Sequence, residues 1–277
     1  MIKIVLVGAG GKMGCRLTDN FLKMDSYEVS YLEVSEQGKA NLAQRGVSVA
    51  NQELTIPDAD VVILALPDVA LARLSAEIIP FMKSGATVLT LDPAAPLDGV
   101  IFHRDDLGYV IAHPCHPSIF NWEPKENDFR DFYGGISAKQ SIVVALMHGT
   151  ESHYQLGEQV SKDMYQPIDK VHRITLEQMA ILEPAMVETL AQTCMEVVKE
   201  GYERILTMGV PEAAARDFVL GHLRIQIAVL FKEVNGTFSD AAYKISKRAK
   251  PILFKEGWQK IFNMDDIREQ VRDITNK

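Results

Sequence analysis

The chain has 277 residues, 47% of them hydrophobic and 24% charged, which allows two soluble domains with sizeable interiors. Its net charge of −8 argues against a nucleic-acid backbone as partner and leaves small molecules as the expected ligands. Cys15, Cys115 and Cys194 are odd in number and share no C-x-x-C spacing, so they suggest neither a disulfide framework nor a structural zinc site and point to a reducing cytoplasm.

Residues 2–7 (IKIVLV) are apolar on both faces, the pattern of a buried parallel strand, with no charged leader before them. No apolar run approaches the ~20 residues that span a bilayer, so no membrane role is expected. The strand runs into VGAGGKMG, which turns helix-friendly at Lys12. Gly8 is expected to permit the tight turn, Gly10 to let the backbone approach a pyrophosphate, and Gly14 to let the helix lie close on the sheet. Gly11, Lys12 and Met13 complete this expected cofactor-binding turn, with phosphate on the helix N-terminus. The spacing G-x-G-x-x-x-G is one residue longer than the usual fingerprint, so context has to support it.

That context follows along the chain. A second strand is expected over residues 29–34, and Glu33 at its end lies nineteen residues past Gly14. A carboxylate there can accept hydrogen bonds from the adenosine ribose and repel a 2'-phosphate, which favours NAD over NADP. A strand over 61–66 ends in ILALPD, putting Leu66, Pro67 and Asp68 on the ligand edge of the sheet. A helix over 68–82 and strands over 87–91 and 109–112 continue the alternation, which predicts a doubly wound parallel sheet of Rossmann type.

The segment IAHPCHPSIF (111–120) places His113 and His116 each before a proline, a context that favours extended backbone. They follow a strand at its carboxyl end, where an imidazole can be a general base, a carbonyl polariser or a metal ligand. A stiff loop whose imidazoles only cap backbone groups is the alternative. QSIVVALMHG predicts a further strand, ESHYQLGEQVSKDMY a helix and PIDKVHRI a last extended piece, which puts the first domain at residues 1–174.

From Thr175 helical periodicity holds for over thirty residues, to Gly209 with Pro211 beyond. Glu183 stands beside the apolar row Val187, Leu190 and Cys194 and next to Pro184, which removes a backbone donor and predicts a kink. A semi-buried carboxylate there needs a proton, a cation or a metal. Glu188 is about 140° further round an α-helix, so the two acids are not expected to converge on one ion unless the kink rotates them. A second helix runs from about Pro211 to Asn235-Gly236, with His222 and Gln226 on one face, as cleft residues or ordinary boundary residues. A third starts at Ser239; its Lys244, Lys247, Arg248 and Lys250 are either a receptor for a substrate carboxylate or a solvated face. Residues 175–277 are therefore expected to form an all-helical substrate and dimerisation domain that closes a cleft with the first.

Taken together, VGAGGKMG, Glu33, ILALPD, AHPCHP and AILEPAMVETL resemble the dehydrogenases with a 6-phosphogluconate-dehydrogenase-like helical C-terminal domain, most closely the D-apionate oxidoisomerase family. The resemblance spans nearly the whole chain, and HPCHP and LEPA are its most specific parts. Prephenate dehydrogenases are more distantly similar, with a His-Pro at the place of His113-Pro114. The resemblance implies NAD-dependent oxidation of a branched sugar acid, a carbon-skeleton migration to a 3-oxo acid, and a homodimer. Migration requires charge stabilisation on adjacent oxygens, suited to a divalent ion held by imidazole and carboxylate. His113, His116 and Glu183 are thus the expected catalytic residues and the expected ligands of zinc, manganese or magnesium. Two rivals are a plain NAD-dependent β-hydroxyacid dehydrogenase and an NAD-sensing protein without catalysis. Plain β-hydroxyacid dehydrogenases usually place a lysine where Glu183 stands, which disfavours the first; the cleft acids and bases disfavour the second.

Overall fold

The computed structural model of the protein describes residues 1–123 and 125–276. Strand β1 (Ile2–Val7) leads through the glycine turn to α1 (Lys12–Phe21), followed by β2 (Tyr27–Leu32), α2 (Glu36–Ala43) and the single turn α3 (Gln52–Thr55). Then come β3 (Val61–Leu64), α4 (Asp68–Ile78), β4 (Thr87–Thr90), α5 (Ala94–Asp98) and β5 (Gly108–Pro114). After a long loop follow β6 (Gln140–His148), α6 (Glu151–Met164) and β7 (Ile168–Arg173). Among the described residues the seven strands lie in one sheet, in the order β2-β1-β3-β4-β5-β6-β7.

The first five strands are parallel, so their carboxyl ends share one edge. β6 is antiparallel to β5, and β7 is parallel to β6. Here the sheet departs from the all-parallel expectation. Between β5 and β6 the only helical piece among the described residues is a 3-10 turn at Asp128–Arg130, which is no crossover, whereas α6 supplies one between β6 and β7. The chain visits β2 and returns past β1 to β3, and this reversal opens a crevice beyond the strand ends, where α/β sheets bind ligands.

Alternation along the strands feeds two apolar layers. Ile4, Leu6, Val61, Ile63 and Val110 pack with Leu17 and Phe21 of α1 and with Tyr154, Val160 and Met164 of α6. Val5, Val7, Val62, Leu64 and Val88 pack on the other face with Leu71 and Ile78 of α4.

The expected single long helix is three segments: α7 (Leu176–Ala180), a π-helical stretch at Ile181–Gln192, and α8 (Thr193–Thr207). Pro184 has no N–H to give and its ring crowds the carbonyl one turn back; widening to i→i+5 bonding relieves that clash. Helices α9 (Glu212–Leu230), α10 (Asp240–Leu253) and α11 (Met264–Thr275) complete the chain. No helix among the described residues is long and apolar enough to cross a membrane.

Two compact units result: Met1–Glu183 together with Arg268–Lys277, and Pro184–Ile267. Thr275 Oγ1 donates to Asp98 Oδ2 at 2.6 Å, fastening α11 to α5 in the first unit. In the second unit the buried apolar side chains are few, Pro184, Ala185, Ala215, Ala228 and Ile267, while Phe218, Leu230, Phe231 and Leu253 are exposed.

Candidate active site at the carboxyl edge of the sheet

The glycine turn sits where β1 ends. Gly8 has φ +77°, the left-handed conformation that a side chain disfavours. A Cβ on Gly14 would meet the Gly8 carbonyl oxygen at 2.1 Å, so α1 lies on the turn only because Gly14 is glycine. At Gly10 the close approach is to protein: a Cβ there would stand 2.1 Å from the Gly38 backbone of α2. Helix packing is thus a further reason for glycine at Gly10, beside the expected approach to a pyrophosphate. Gly11 is the N-cap of α1, whose first turn has neither a capping side chain nor an acid. That uncapped, electropositive end fits a phosphate. Lys12 opens the helix with its ammonium 5.2 Å from the centre of the Tyr133 ring, Arg16 lies 4.2 Å from the same ring, and Met13 packs on the sheet.

Glu33 stands one residue past β2. Its Oε2 accepts from Gly10 N at 3.1 Å and its Oε1 from Val34 N and Ser35 N, both at 2.9 Å. The carboxylate therefore closes against the turn it was expected to serve. Leu66 and Pro67 follow β3, and Asp68 opens α4. Burial, and next the charge of Asp92, push the Asp68 carboxyl up to about 6, and its Oδ1 is buried without a partner.

His113 is the penultimate residue of β5 and is extended as expected. Its Nδ1 lies 2.7 Å from the Leu91 carbonyl oxygen at the end of β4. A carbonyl only accepts, so Nδ1 carries a proton, and in the neutral imidazole Nε2 presents the lone pair. That nitrogen is 3.4 Å from Glu183 Oε2, with both side chains about one-fifth exposed. In that form two acceptors face each other, an arrangement that a proton or a cation between them stabilises. Glu183 lies in the first turn of the π-helical stretch, directly after α7, whose Met179 is buried against Ile111, Val143 and Ala145 of β5 and β6. Asp92, just past β4, adds a second carboxylate with Oδ2 3.9 Å from His113 Nδ1 while its Oδ1 accepts from Ala94 N at 2.8 Å. Cys115 follows β5 and is exposed overall, yet desolvation of its thiol, with the Glu183 charge second, raises it above the ordinary range. Tyr165 is buried beneath, its phenol pushed up by burial, and donates to the Ala112 carbonyl at 3.1 Å.

His116 departs from the expected extended backbone: its φ is +59°, and Nδ1 bonds the Tyr133 carbonyl at 2.9 Å. Histidine tolerates this region better than most residues, and the bond to Tyr133 holds it there. Its ring centre is 6.4 Å from that of His113. Among the described residues, the one trio of His, Cys, Asp or Glu with ligand atoms all within 4.8 Å of one another is His103, Asp105 and His148, so His113 and Glu183 meet but His116 does not close a three-ligand set with them. On α9, the ring of His222 stacks on Phe218 and its Nδ1 bonds the Phe218 carbonyl at 2.7 Å. Lys250 of the basic cluster lies over the Trp258 ring.

Asp92 was not among the expected site residues, although LDPAAP, like ILALPD, sets an aspartate shortly after a strand. Nor was Tyr133, which lies between β5 and β6 where the sequence carries no periodic signal.

Comparison with known proteins places this edge in context. Residues 121–275 match the family of the phosphogluconate dehydrogenase (decarboxylating) C-terminal domain. D-apionate oxidoisomerase of Cupriavidus necator is 47% identical over 274 residues, covering 99% of each chain. The chain belongs to the D-apionate oxidoisomerase family. The Rhizobium rhizogenes oxidoisomerase is 44% identical, over 99% of this chain and 100% of its own. Among solved structures, a semialdehyde dehydrogenase NAD-binding protein from Cupriavidus necator, in complex with calcium and NAD, superposes with a TM-score of 0.97 at 47% identity, over 99% of this chain and 100% of that one. The family's Rossmann-type sheet and helical C-terminal domain are thus the architecture seen here.

Proposed function

We propose that the chain oxidises a branched sugar acid of the D-apionate kind with NAD and rearranges it to a 3-oxo acid, using His113 and Glu183. The observation that carries this reading is the facing pair His113 Nε2 and Glu183 Oε2, 3.4 Å apart, with the imidazole fixed from behind by Leu91. His113 Nε2 takes the proton of the substrate hydroxyl as the carbinol hydrogen departs as hydride. Asp92, behind Nδ1, stabilises the resulting imidazolium, and the Leu91 carbonyl keeps the ring from turning. In the second half-reaction, a carbon substituent moves from the neighbouring hydroxyl-bearing carbon to the new carbonyl carbon. The donor carbon's hydroxyl loses its proton and becomes a carbonyl, and the old carbonyl oxygen gains a proton. His113 and Glu183 are placed to shuttle that proton.

NAD, when bound, is the hydride acceptor. Gly8, Gly10, Gly11, Lys12 and Met13 at the uncapped end of α1, and Leu66, Pro67 and Asp68 at the next strand end, are the residues to hold it. Glu33 is its ribose reader, disfavouring a 2'-phosphate. A divalent ion also fits the donor set. Two ligands at about 2.1 Å on a tetrahedral ion stand roughly 3.4 Å apart, and a histidine whose far nitrogen donates to a carbonyl is the usual oriented ligand. Imidazole with carboxylate favours zinc or manganese, with magnesium next. His113 and Glu183 would hold the ion instead of acting as the proton-transfer pair, because His113 Nε2 has one lone pair, and His116 would join only after a shift of its loop.

A second copy of the chain is the proposed partner of the Pro184–Ile267 unit, because so few buried apolar residues give it no core of its own while Phe218, Leu230, Phe231 and Leu253 face out. Three unpaired cysteines suit a cytoplasmic enzyme.

Turnover of D-apionate with NAD tests the assignment. His113→Ala and Glu183→Gln should each lower kcat/KM by ~100-fold or more while NAD affinity stays within a few-fold. Full turnover in either variant contradicts it. Loss of turnover on chelation, restored by zinc or manganese, supports the ion; unchanged turnover in metal-free enzyme leaves the proton-only pair.

A further inference from the structure

At the opposite end of β5 from His113, the structure holds a second, unrelated set of donors. His148 ends β6 and pairs in register with Tyr109, where an irregularity in the β5–β6 ladder re-aims the strand. His103 and Asp105 lie in the turn before β5. One ligand atom from each of His103, Asp105 and His148 falls within 4.8 Å of the others. His103 Nε2 is 3.0 Å from Asp105 Oδ1, and the two imidazole rings meet edge to face at 4.7 Å.

The turn that presents them is rigidly built. Tyr109 Oη donates to the Phe102 carbonyl at 3.1 Å and accepts from Arg104 N at 2.8 Å, while its ring stacks under His103 at 5.1 Å. Arg104 grips Asp106 with two nitrogens, at 3.0 and 2.6 Å, and donates to the carbonyls of Ile79 and Met82 at 3.0 and 2.7 Å. His148 Nε2 reaches the Asp105 carbonyl at 3.2 Å. The neighbouring His153 is not free to join, since Nδ1 accepts from Thr150 N at 3.0 Å and Nε2 meets the Gly85 carbonyl at 3.1 Å. Tyr109 and Arg104 hold the turn's backbone and the Asp105 carbonyl orients His148, while the Asp105 side chain stands exposed beside His103; donors carried at this spacing on a fixed backbone suit an ion site.

We propose that His103, Asp105 and His148 bind a divalent transition ion of the zinc type, tying the turn before β5 to the end of β6, remote from the reaction. Two imidazoles and one carboxylate select zinc, cobalt or nickel over calcium or magnesium, and solvent fills the open positions.

The test uses chelator-stripped full-length Glu183→Gln protein, in which the His113 pair is broken, titrated with zinc chloride against a chromophoric chelator. One zinc per chain should bind, and the added changes His103→Ala and His148→Ala should remove it. Asp105→Asn, at an exposed position, should weaken it at least ~10-fold; Tyr109→Phe, which leaves all three donors, should weaken it by ~10-fold through the lost hydroxyl bonds. Zinc should raise the Tm of Glu183→Gln and leave that of the triple variant unmoved. With Glu183 intact, His103→Ala/His148→Ala should turn over normally. Equal zinc binding with and without the two histidines, or no zinc bound by Glu183→Gln protein, overturns the site.

Discussion

A single bond from His113 Nδ1 to the Leu91 carbonyl decides which ring nitrogen faces Glu183, and so makes the pair an acid/base or ligand set. HPCHP and LEPA drew attention to both residues in the sequence, because a strand-end histidine and a semi-buried glutamate need partners. That they are each other's partners was not legible, since 70 residues separate them. Nor was the left-handed His116, whose backbone is held by Tyr133 across the loop. Asp68 carries a pH signature. Burial first, and Asp92 second, hold its carboxyl at about 6, whereas in the unfolded chain it ionises near ~4. Between these values the unfolded state gives up its proton first, so stability falls as pH rises, and above about 6 the full cost is present. Asp68→Asn should therefore stabilise the metal-free protein at pH 7.5, by roughly 1 kcal/mol after allowance for partial solvation, with the gain vanishing near pH 4. Urea unfolding at the two pH values checks this; an equal effect at both contradicts it. For Glu33, replacement by Gln should narrow the preference for NAD over NADP by ~10-fold or more in binding titrations. An unchanged ratio would remove it as the ribose reader.

Elements were legible where periodicity was strong, which covers all seven strands, α1, α4, α6, α9 and the start of α10. The short α2 and α5 carry too little pattern to read, and α2 matters because it clamps the glycine turn: Asn41 Nδ2 donates to the Gly10 carbonyl at 2.9 Å. Gly10→Ala would push a methyl into the Gly38 backbone and should cost ~2–3 kcal/mol in denaturant unfolding. Gly38→Ala meets the Glu33 side-chain end at 2.3 Å, which can swing away, so it should cost less while disturbing cofactor preference. The π-helical stretch escaped the sequence reading because Pro184 announces a disturbance in a helix but not its form. α7 places Glu183 by burying Met179 on β5 and β6. Met179→Ala should lose ~2–5 kcal/mol of stability and also lower kcat/KM, with NAD binding little changed. Stability lost without any kinetic effect would show that α7 docking does not position Glu183.

For the whole molecule, the sequence predicted a Rossmann-type sheet followed by helices, and the reversal of β6 and β7 was hidden because antiparallel and parallel buried strands read alike. The return of α11 to the first unit was likewise invisible to local pattern. Light scattering after size exclusion should give twice the 30.9 kDa chain mass, and Phe218→Glu with Phe231→Glu should lower it. A monomeric wild type would contradict the second-copy proposal. The central claim, oxidation coupled to skeletal migration, is tested most directly by incubating the enzyme with NAD and 13C-labelled D-apionate while following NADH and carbon connectivity together. One NADH per substrate consumed, with a rearranged 3-oxo acid as product, is the predicted result. NADH with an unrearranged oxo acid, or no NADH at all, would contradict it.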